Sequence, residues 1–406
     1  MASSLTHRGP LAYLNWWSLQ YGVEELKDTI EFQFFSDSKF RGDKCNFGPY
    51  TLFNSLLRPF ELEDSDVIAP RLVLRLDWHL PYQIDMPRGE DSDFTRYHGG
   101  WIDDEVAALF SLLWGVRIKS VGVVRHFLPN EDAKGRPESS QKWEQYLTMF
   151  RQIGSTKILP RTIRECNITK SKELERLDAL YKLGKDEATA LVIAARVYQE
   201  AIWIAEIQPE LAWLLLVSAI ERAANFWKTD DDIRSTEAFE EFEPELSKEL
   251  KEKYCEDAFK LVANKFGGTM KASRKFVDFM MEFLPEPPSG RPLYYQIIWN
   301  KTSDKTRALI SKVYDLRSKA LHMGIPMPAP MCSPPRKFPV DSNAKSSVDT
   351  TWAETPDYKV YTKGGYWAKK DLPMLLHTFE FMVRHCLLNW WDTIFSKSKA
   401  NNTQGN

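Results

Sequence analysis

Residues 313–324 read VYDLRSKALHMG, which has the composition expected for the end of an amphipathic helix. The stretch carries Arg317 and His322 with four residues between them. An arginine guanidinium stays charged and can hold a phosphate, and a histidine imidazole can move a proton near neutral pH. Together, these two side chains supply groups that could cleave RNA without a metal ion.

The spacing of Arg317 and His322 decides whether their side chains can reach the same phosphate. On an ideal helix, five positions correspond to roughly 140° of rotation and ~7.5 Å of rise, so the two side chains do not share a face. The apolar positions repeat at helical spacing and are predicted to form the buried stripe: Leu309, Val313, Leu316 and Ala320. Arg317 would flank this stripe, His322 would lie nearly opposite it, and Gly324 is predicted to end the helix.

Two arrangements would bring both side chains to one phosphate. The last helical turn could unwind, or a second copy of the chain could supply half of the site. The alternative interpretation is structural, with an exposed arginine and a histidine that stabilises a helix C-terminus. On spacing alone, the structural interpretation is favoured.

A second apolar stretch precedes this one and reads LAWLLLVSAIE at residues 211–221. Together with YDLRSKALHMG at residues 314–324, it resembles the HEPN superfamily (higher eukaryotes and prokaryotes nucleotide-binding). Within that superfamily, the sequence is most similar to the ApeA-like and related prokaryotic defence branches. The resemblance covers roughly the C-terminal half of the chain.

This resemblance implies a helical bundle that cleaves RNA without a metal ion and acts as a homodimer or higher homo-oligomer. Active members carry an Arg-x(4–6)-His motif, which here implies Arg317 and His322 as catalytic residues. The next position is often Asn, Asp or His in active members, and this chain has Ser318, a weaker polar helper. The resemblance also implies a toxin or antiphage defence effector, with an antitoxin or a phage-derived trigger as a partner.

Two other functions stay open. The chain could be a non-catalytic HEPN-like scaffold that binds RNA, a nucleotide or a protein, which Ser318 and the mildly acidic composition slightly favour. Alternatively, the N-terminal half could be the active part and the helical half an oligomerisation device, although no group of residues in the N-terminal half supports that chemistry.

The helix that starts near Pro209 contributes the predicted supporting residues. Its buried face is predicted from a spacing of three and four: Trp213, Val217, Ile220, Ala224 and Trp227. A neighbouring row is mostly polar and comprises Leu214, Ser218, Glu221 and Asn225. We predict that Glu221, and after it Asn225, reaches the cleft beside the motif helix. The alternative is a solvent-facing row or a structural hydrogen bond.

Basic residues near the motif helix are the predicted RNA contacts. Lys319 lies within the motif, and a predicted hairpin at residues 358–367 is basic and rich in aromatic residues. The lysines of this region are Lys359, Lys363, Lys369 and Lys370. The alternative is a solvated hairpin. The segment 325–350 is rich in proline, cannot be helical and could fold over the cleft.

The remaining sequence sets the fold class as α+β. Residues 1–165 are predicted to form a mixed α/β sensor or regulatory domain, with strands at 30–34, 72–78 and 117–127. Residues 166–406 are predicted to form the helical domain, with a proline-rich insertion at about 325–350. His98 beside Asp103, Asp104 and Glu105 could bind a metal, but acidic residues at the start of an apolar helix favour a helix N-terminus. We therefore predict no metal and no cofactor.

Composition bounds the class of protein. The 406 residues are 43% hydrophobic and 27% charged, with a net charge of -2, so no broad basic field attracts nucleic acid. Five scattered cysteines without a Cys-x-x-Cys pair are typical of a reducing compartment. No signal segment follows Met1 and no apolar run approaches membrane-spanning length, so we expect a cytoplasmic protein that does not enter membranes.

Overall fold

The computed structural model describes residues 9–22, 25–54, 68–80, 100–131, 157–160, 165–169, 174–229, 234–340, 350–356, 361–362 and 365–404. The fold is α+β, as predicted: an antiparallel sheet lies in the N-terminal half, and helices dominate the C-terminal half. The chain divides into two compact units. The described parts of Met1–Ser155, Arg161–Ile207 and Trp390–Asn406 form the first, and Thr156–Pro160 with Gln208–Asn389 forms the second. The division into domains at residues 1–165 and 166–406 stays a prediction.

The first unit is built around a five-stranded antiparallel sheet with the order β3-β4-β5-β1-β6. Its strands are β1 (Asp28–Ser36), β3 (Lys44–Phe47), β4 (Tyr50–Asn54), β5 (Ala69–Trp78) and β6 (Ile118–Phe127), and β2 (Lys39–Arg41) pairs separately with β7 (Glu165–Asn167). The helices are α1 (Leu11–Gln20), α2 (Ile102–Trp114), α3 (Leu174–Leu177) and α4 (Lys185–Ile204), and a 3-10 turn spans Leu180–Lys182. The three predicted strands are confirmed, although burial does not alternate along them: β5 is buried on both faces over most of its length, and β6 is mostly half-buried.

The acidic residues near residue 103 form a helix N-terminus, as the sequence favoured. Helix α2 begins at Ile102 with Asp103, Asp104 and Glu105 in its first turn. Glu105 accepts hydrogen bonds from the backbone N–H groups of Leu11 and Ala12 at 3.1 and 2.7 Å. The Glu105 carboxylate therefore holds backbone groups, while His98 lies outside the described residues.

The second unit is mainly helical. Its helices are α5 (Pro209–Trp227), α6 (Ser235–Phe242), α7 (Pro244–Lys253), α8 (Glu256–Glu282), α9 (Asp304–Met323) and α10 (Leu376–Gln404), of which α10 belongs to this unit as far as Asn389. Two short pairs of strands, β8 (Lys337–Pro339) with β9 (Thr350–Trp352) and β10 (Tyr361–Thr362) with β11 (Gly365–Tyr366), follow α9. Two 3-10 turns span Ala329–Cys332 and Lys369–Asp371. The described part of segment 325–350 is thus not α-helical, as predicted.

Aromatic side chains pack the core of this helical unit. Trp213 of α5 stacks on Phe379 of α10, with ring centroids 4.7 Å apart. Phe276 of α8 packs against Tyr314 of α9 at 5.1 Å. The predicted buried face of α5 is confirmed for Trp213, Val217, Ile220 and Ala224, which are at most 1% exposed. These contacts fix the rotation of α5 and α9 about their own axes. They therefore decide which polar residues of the two helices come into contact.

Candidate functional site

Helix α9 is regular through both residues of the motif. It begins after Ser303, whose hydroxyl accepts a hydrogen bond from the Lys305 N–H group. It ends at Gly324, which adopts φ 66° and donates its N–H to the Lys319 carbonyl, so the predicted helix end is confirmed. Because the helix continues to Met323, the last turn is not unwound in this structure.

The predicted buried stripe of α9 is partly wrong. Its most buried positions are Thr306, Ile310, Val313 and Tyr314, whereas Leu309, Leu316 and Ala320 are only half-buried. The buried face is rotated around α9 relative to the predicted apolar stripe, because two polar side chains on it have partners. The Thr306 hydroxyl donates to the Ile298 carbonyl at 2.9 Å, and the Tyr314 hydroxyl also has a partner. Satisfied polar groups tolerate burial, and hydropathy alone does not detect them.

Arg317 lies on this rotated face and pairs with Glu221 of α5. The Arg317 Nη2 and Glu221 Oε2 atoms are 2.6 Å apart, and the two side chains are 16% and 18% exposed. The second carboxylate oxygen of Glu221 accepts a hydrogen bond from the Tyr314 hydroxyl at 2.9 Å. Arg317 also covers the Tyr314 ring, with 5.6 Å between Cζ and the ring centroid. The interpretation that Arg317 is an exposed surface residue is therefore wrong.

Tyr314 keeps its proton in this cluster at neutral pH. Burial, followed by the charge and hydrogen bond of Glu221, raises the pKa of Tyr314 well above its ordinary value. Tyr314 therefore stays a hydrogen-bond donor and is not a general base at neutral pH. Arginine stays charged, so Arg317 and Glu221 form an ion pair that fixes the position of the guanidinium.

One donor of Arg317 is left unsatisfied within the described chain. Its Nε atom is buried and has no hydrogen-bond partner among the described residues. A guanidinium has five N–H donors, and a buried donor without a partner costs ~1–3 kcal/mol. Glu221 thus positions Arg317, and since Nε is buried, an incoming anion could meet only the part of the side chain that stays exposed, 16% of it.

His322 lies apart from this cluster. It is exposed in the last turn of α9 and forms no hydrogen bond or ion pair with the part of the chain that the structure describes. Its neighbours Leu321, Met323 and Ile325 are apolar and 51%, 67% and 47% exposed. Since α9 is regular, His322 and Arg317 of one chain are separated by roughly 140° around the helix. The structure therefore brings Arg317 to Glu221 but not to His322.

The other predicted residues surround the cluster to different degrees. Asn225, one turn after Glu221 on α5, is exposed and accepts a hydrogen bond from the Lys275 ammonium group at 3.4 Å. Ser318 is half-buried and forms no hydrogen bond with another described residue, and Lys319 is exposed. Asn225 and Ser318 therefore do not contact Arg317 through a hydrogen bond.

The predicted RNA-contacting lysines are only partly described. Lys369 and Lys370 are exposed in the 3-10 turn Lys369–Asp371, while Lys359 and Lys363 lie outside the described residues. Asp371 of this turn lies 3.6 Å from the ammonium group of Lys312 on α9. This contact places the Lys369–Asp371 turn beside the motif helix.

Tyr314 is the residue of this cluster that the sequence analysis missed. It lies three positions before Arg317, so the two side chains are neighbours on the helix surface. That spacing was the available signal, but a tyrosine at such a position is typical of a core residue. Only the carboxylate of Glu221, 93 residues earlier in the chain, gives it a polar role.

Comparisons with known proteins do not place this chain in a family. No protein-family model matches it, and neither a curated protein nor a solved structure shows significant similarity. Within the described ranges, no group of three or more His, Cys, Asp or Glu side chains could hold a metal ion. No helix in those ranges has both the length and the apolar character needed to cross a membrane.

Proposed function

We propose that this protein is a metal-independent endoribonuclease of the HEPN type that acts as a cytoplasmic homodimer. The observation that supports the proposal is the state of Arg317. Glu221 and Tyr314 hold its guanidinium in place, and 16% of the side chain stays exposed. A preorganised cation that is partly exposed suits the charge that develops on a phosphate during cleavage.

The proposed chemistry divides the work between the two motif residues. His322 accepts the proton of the ribose 2′-hydroxyl, whose oxygen attacks the adjacent phosphorus, or it donates a proton to the departing 5′-oxygen. Arg317 stabilises the negative charge on the phosphate oxygens in the transition state. The 2′-oxygen forms the new bond to phosphorus as the bond to the 5′-oxygen breaks. DNA lacks this hydroxyl and is spared.

A second copy of the chain completes the site in this proposal. In a regular α9 the two side chains diverge, so His322 of one copy would act with Arg317 of the other. His322 is flanked by the exposed apolar residues Leu321, Met323 and Ile325, and covering such a patch favours association. The dimer would thus form around the C-terminal ends of two α9 helices.

Other residues take supporting roles. Glu221 positions Arg317, Asn225 and Ser318 offer polar groups near the cleft, and the exposed Lys319, Lys369 and Lys370 attract the RNA backbone. By analogy with the resembled family, the protein would be a toxin or antiphage effector controlled by an antitoxin or a phage-derived trigger. The first unit would then be the sensor or regulator.

One observation favours a second candidate, a non-catalytic scaffold that binds RNA, a nucleotide or a protein. Glu221, Arg317 and Tyr314 form a half-buried network whose pairing is complete for the carboxylate. Such a network can serve packing alone. In this alternative His322 would only stabilise the end of α9.

A cleavage assay separates the two functions. The purified full chain would be incubated with total cellular RNA in EDTA, and with single-stranded DNA as a matched substrate without 2′-hydroxyls. We expect RNA fragments in the presence of EDTA and intact DNA. Equal cutting of both nucleic acids, or cutting that EDTA abolishes, would contradict the proposed mechanism.

A further inference from the structure

The second unit contains an open cavity of about 250 Å³ that lies between the proline-rich segment after α9 and the residues that follow β9. The proposed cleavage chemistry does not use it. Aromatic, proline and small side chains dominate its lining: Tyr295, Pro330, Ser333, Pro334, Pro335, Arg336, Phe338, Ala353, Thr355, Pro356 and Leu375. Small-molecule sites typically measure ~300–1,000 Å³, so this cavity suits a compact ligand.

Tyr295 is held at the cavity in an unusual backbone conformation. Its φ is 64°, and it is the only non-glycine residue with positive φ among those described. Its carbonyl accepts hydrogen bonds from the backbone N–H groups of Glu354 and Thr355, both at 3.0 Å. A bulky residue stays in the left-handed region only where its surroundings fix it, and ligand sites are one such place.

A buried ion pair fixes the loop that carries Tyr295. Glu354 is fully buried and pairs with Arg291, whose Nε lies 2.8 Å from Glu354 Oε1. Glu354 also accepts the backbone N–H of Ile297 at 2.9 Å. The loop is therefore fastened on both sides of Tyr295, which gives the Tyr295 ring a defined position before any ligand arrives.

Rings form much of the cavity wall. The Phe338 ring packs against the Tyr295 ring, with 4.8 Å between their centroids. Four proline rings line the same cavity: Pro330, Pro334, Pro335 and Pro356. Proline also fixes its own φ, which stiffens the wall. Such a wall is complementary to a flat ligand, because contacts between aromatic rings stabilise a complex beyond the apolar area that is buried.

The polar side chains of the lining are mostly engaged within the chain. The Ser333 hydroxyl donates to the Ala329 carbonyl at 3.1 Å. Arg336 takes part in a further interaction within the chain. Thr355 differs, because its hydroxyl bonds to no other described residue. An ionised ligand would lose hydration in this cavity without gaining a dedicated counter-charge, so the lining favours an uncharged ligand.

Main-chain groups of the lining are also paired. The Ala353 N–H donates to the Arg336 carbonyl at 2.8 Å, and the Ala353 carbonyl accepts a hydrogen bond from His377 Nε2 at 2.7 Å. The Leu375 N–H donates to the Glu354 carbonyl at 2.9 Å. An extended peptide that adds to a sheet edge gains affinity through main-chain hydrogen bonds. These residues have few to offer, which favours a free small molecule over a peptide segment.

We infer that this cavity binds a small, uncharged aromatic molecule whose ring packs against Tyr295 and Phe338. Thr355 offers a hydrogen bond to a single polar group on that ring. The inference does not depend on the proposed ribonuclease function, because it uses neither Arg317 nor His322.

Direct binding measurements on the full chain test this inference. Phenol is the probe, because it is flat and keeps its proton at neutral pH, as a tyrosine side chain does. Cyclohexanol carries the same hydroxyl on a ring that is not flat, and benzoate carries a charge on a flat ring. N-acetyltyrosine amide adds main-chain groups to the phenol. Saturation-transfer NMR would detect binding, and titration would give each dissociation constant.

We expect phenol to bind roughly two- to tenfold more tightly than cyclohexanol. Benzoate should bind more weakly than phenol, and N-acetyltyrosine amide no more tightly. Tighter binding of benzoate would identify an anion site, and tighter binding of the amide would identify a peptide site. Either result overturns the inference, as does a lack of phenol binding or equal binding of phenol and cyclohexanol.

Two variants locate the bound ring. Tyr295→Asn should weaken phenol binding about tenfold, and asparagine tolerates the positive φ. Its matched control is Tyr294→Asn, which should bind phenol like the parent, since Tyr294 is 61% exposed and does not line the cavity. Phe338→Leu keeps an apolar side chain without a flat ring, so it should weaken binding of phenol but not of cyclohexanol. Thermal melting checks that each variant is folded, and unchanged phenol binding in both folded cavity variants would contradict the inference.

Discussion

Replacing His322 by alanine is expected to lower the rate of RNA cleavage by about 100-fold or more. General acid–base catalysis by a positioned side chain contributes about 10²–10⁴-fold. The fold should be unaffected, because His322 is exposed and bonds to no other residue of the described chain. Initial rates on a labelled RNA in EDTA measure the first effect, and thermal melting measures the second.

A histidine on the first unit provides the matched control. His126 lies on β6 with a half-exposed side chain, and it pairs with Asp28 at 3.0 Å. His126→Ala should retain the parent cleavage rate. If the parent and His322→Ala cut RNA at the same rate, His322 is not catalytic and the scaffold alternative gains support.

Replacing Arg317 by glutamine is expected to affect both cleavage and stability. Removing a donor that stabilises the transition state costs about 100- to 1,000-fold in rate. The same change leaves the Glu221 carboxylate without its charged partner in a half-buried position, which should lower the free energy of unfolding by ~1–3 kcal/mol. Denaturant unfolding and cleavage rates would be measured on the same preparations.

A double variant separates these two effects. In Arg317→Gln with Glu221→Gln, no carboxylate is left unpaired and the two amides can bond to each other. Stability should then recover while cleavage stays lost. A double variant that regains cleavage would show that Arg317 serves only to neutralise Glu221.

Some parts of this site could be predicted from sequence because they depend on local chemistry. Gly324 ends α9 because glycine reaches the left-handed region without a Cβ clash. Glu221 stood out because it is a charged residue on an apolar helix, and its carboxylate indeed meets Arg317. The periodicity of apolar residues also located the buried face of α5, because it is a local signal. Four of the five residues predicted for that face are buried.

Other parts depend on partners that are distant in sequence. The face of α9 that carries Tyr314 and Arg317 packs against α5, where both side chains bond to the Glu221 carboxylate. The local sequence of α9 does not indicate this partner. Arg117 was assigned only to a strand, yet it is fully buried and bonds to Asp37 and Glu206 at 2.7 and 2.9 Å. The left-handed backbone of Tyr295 likewise depends on two N–H groups about 60 residues away in the chain.

The orientation of His322 decides whether one copy of the chain can form the proposed site alone. A regular helix directs His322 away from Arg317 of the same chain, so one copy presents each half of the proposed chemistry separately. The exposed apolar side chains of Leu321 and Met323 flank the histidine and give a reason for a second copy to pack there.

Mixing the two inactive variants tests this claim most directly. If each site combines Arg317 of one copy with His322 of the other, a dimer of Arg317→Gln with His322→Ala contains one intact site. Subunits that exchange freely should restore about a quarter of the parent cleavage rate, because half of the dimers are mixed and each has one of two sites. We expect this recovery. A mixture as inactive as either variant alone, under conditions where subunit exchange is demonstrated, would contradict a site shared between two copies.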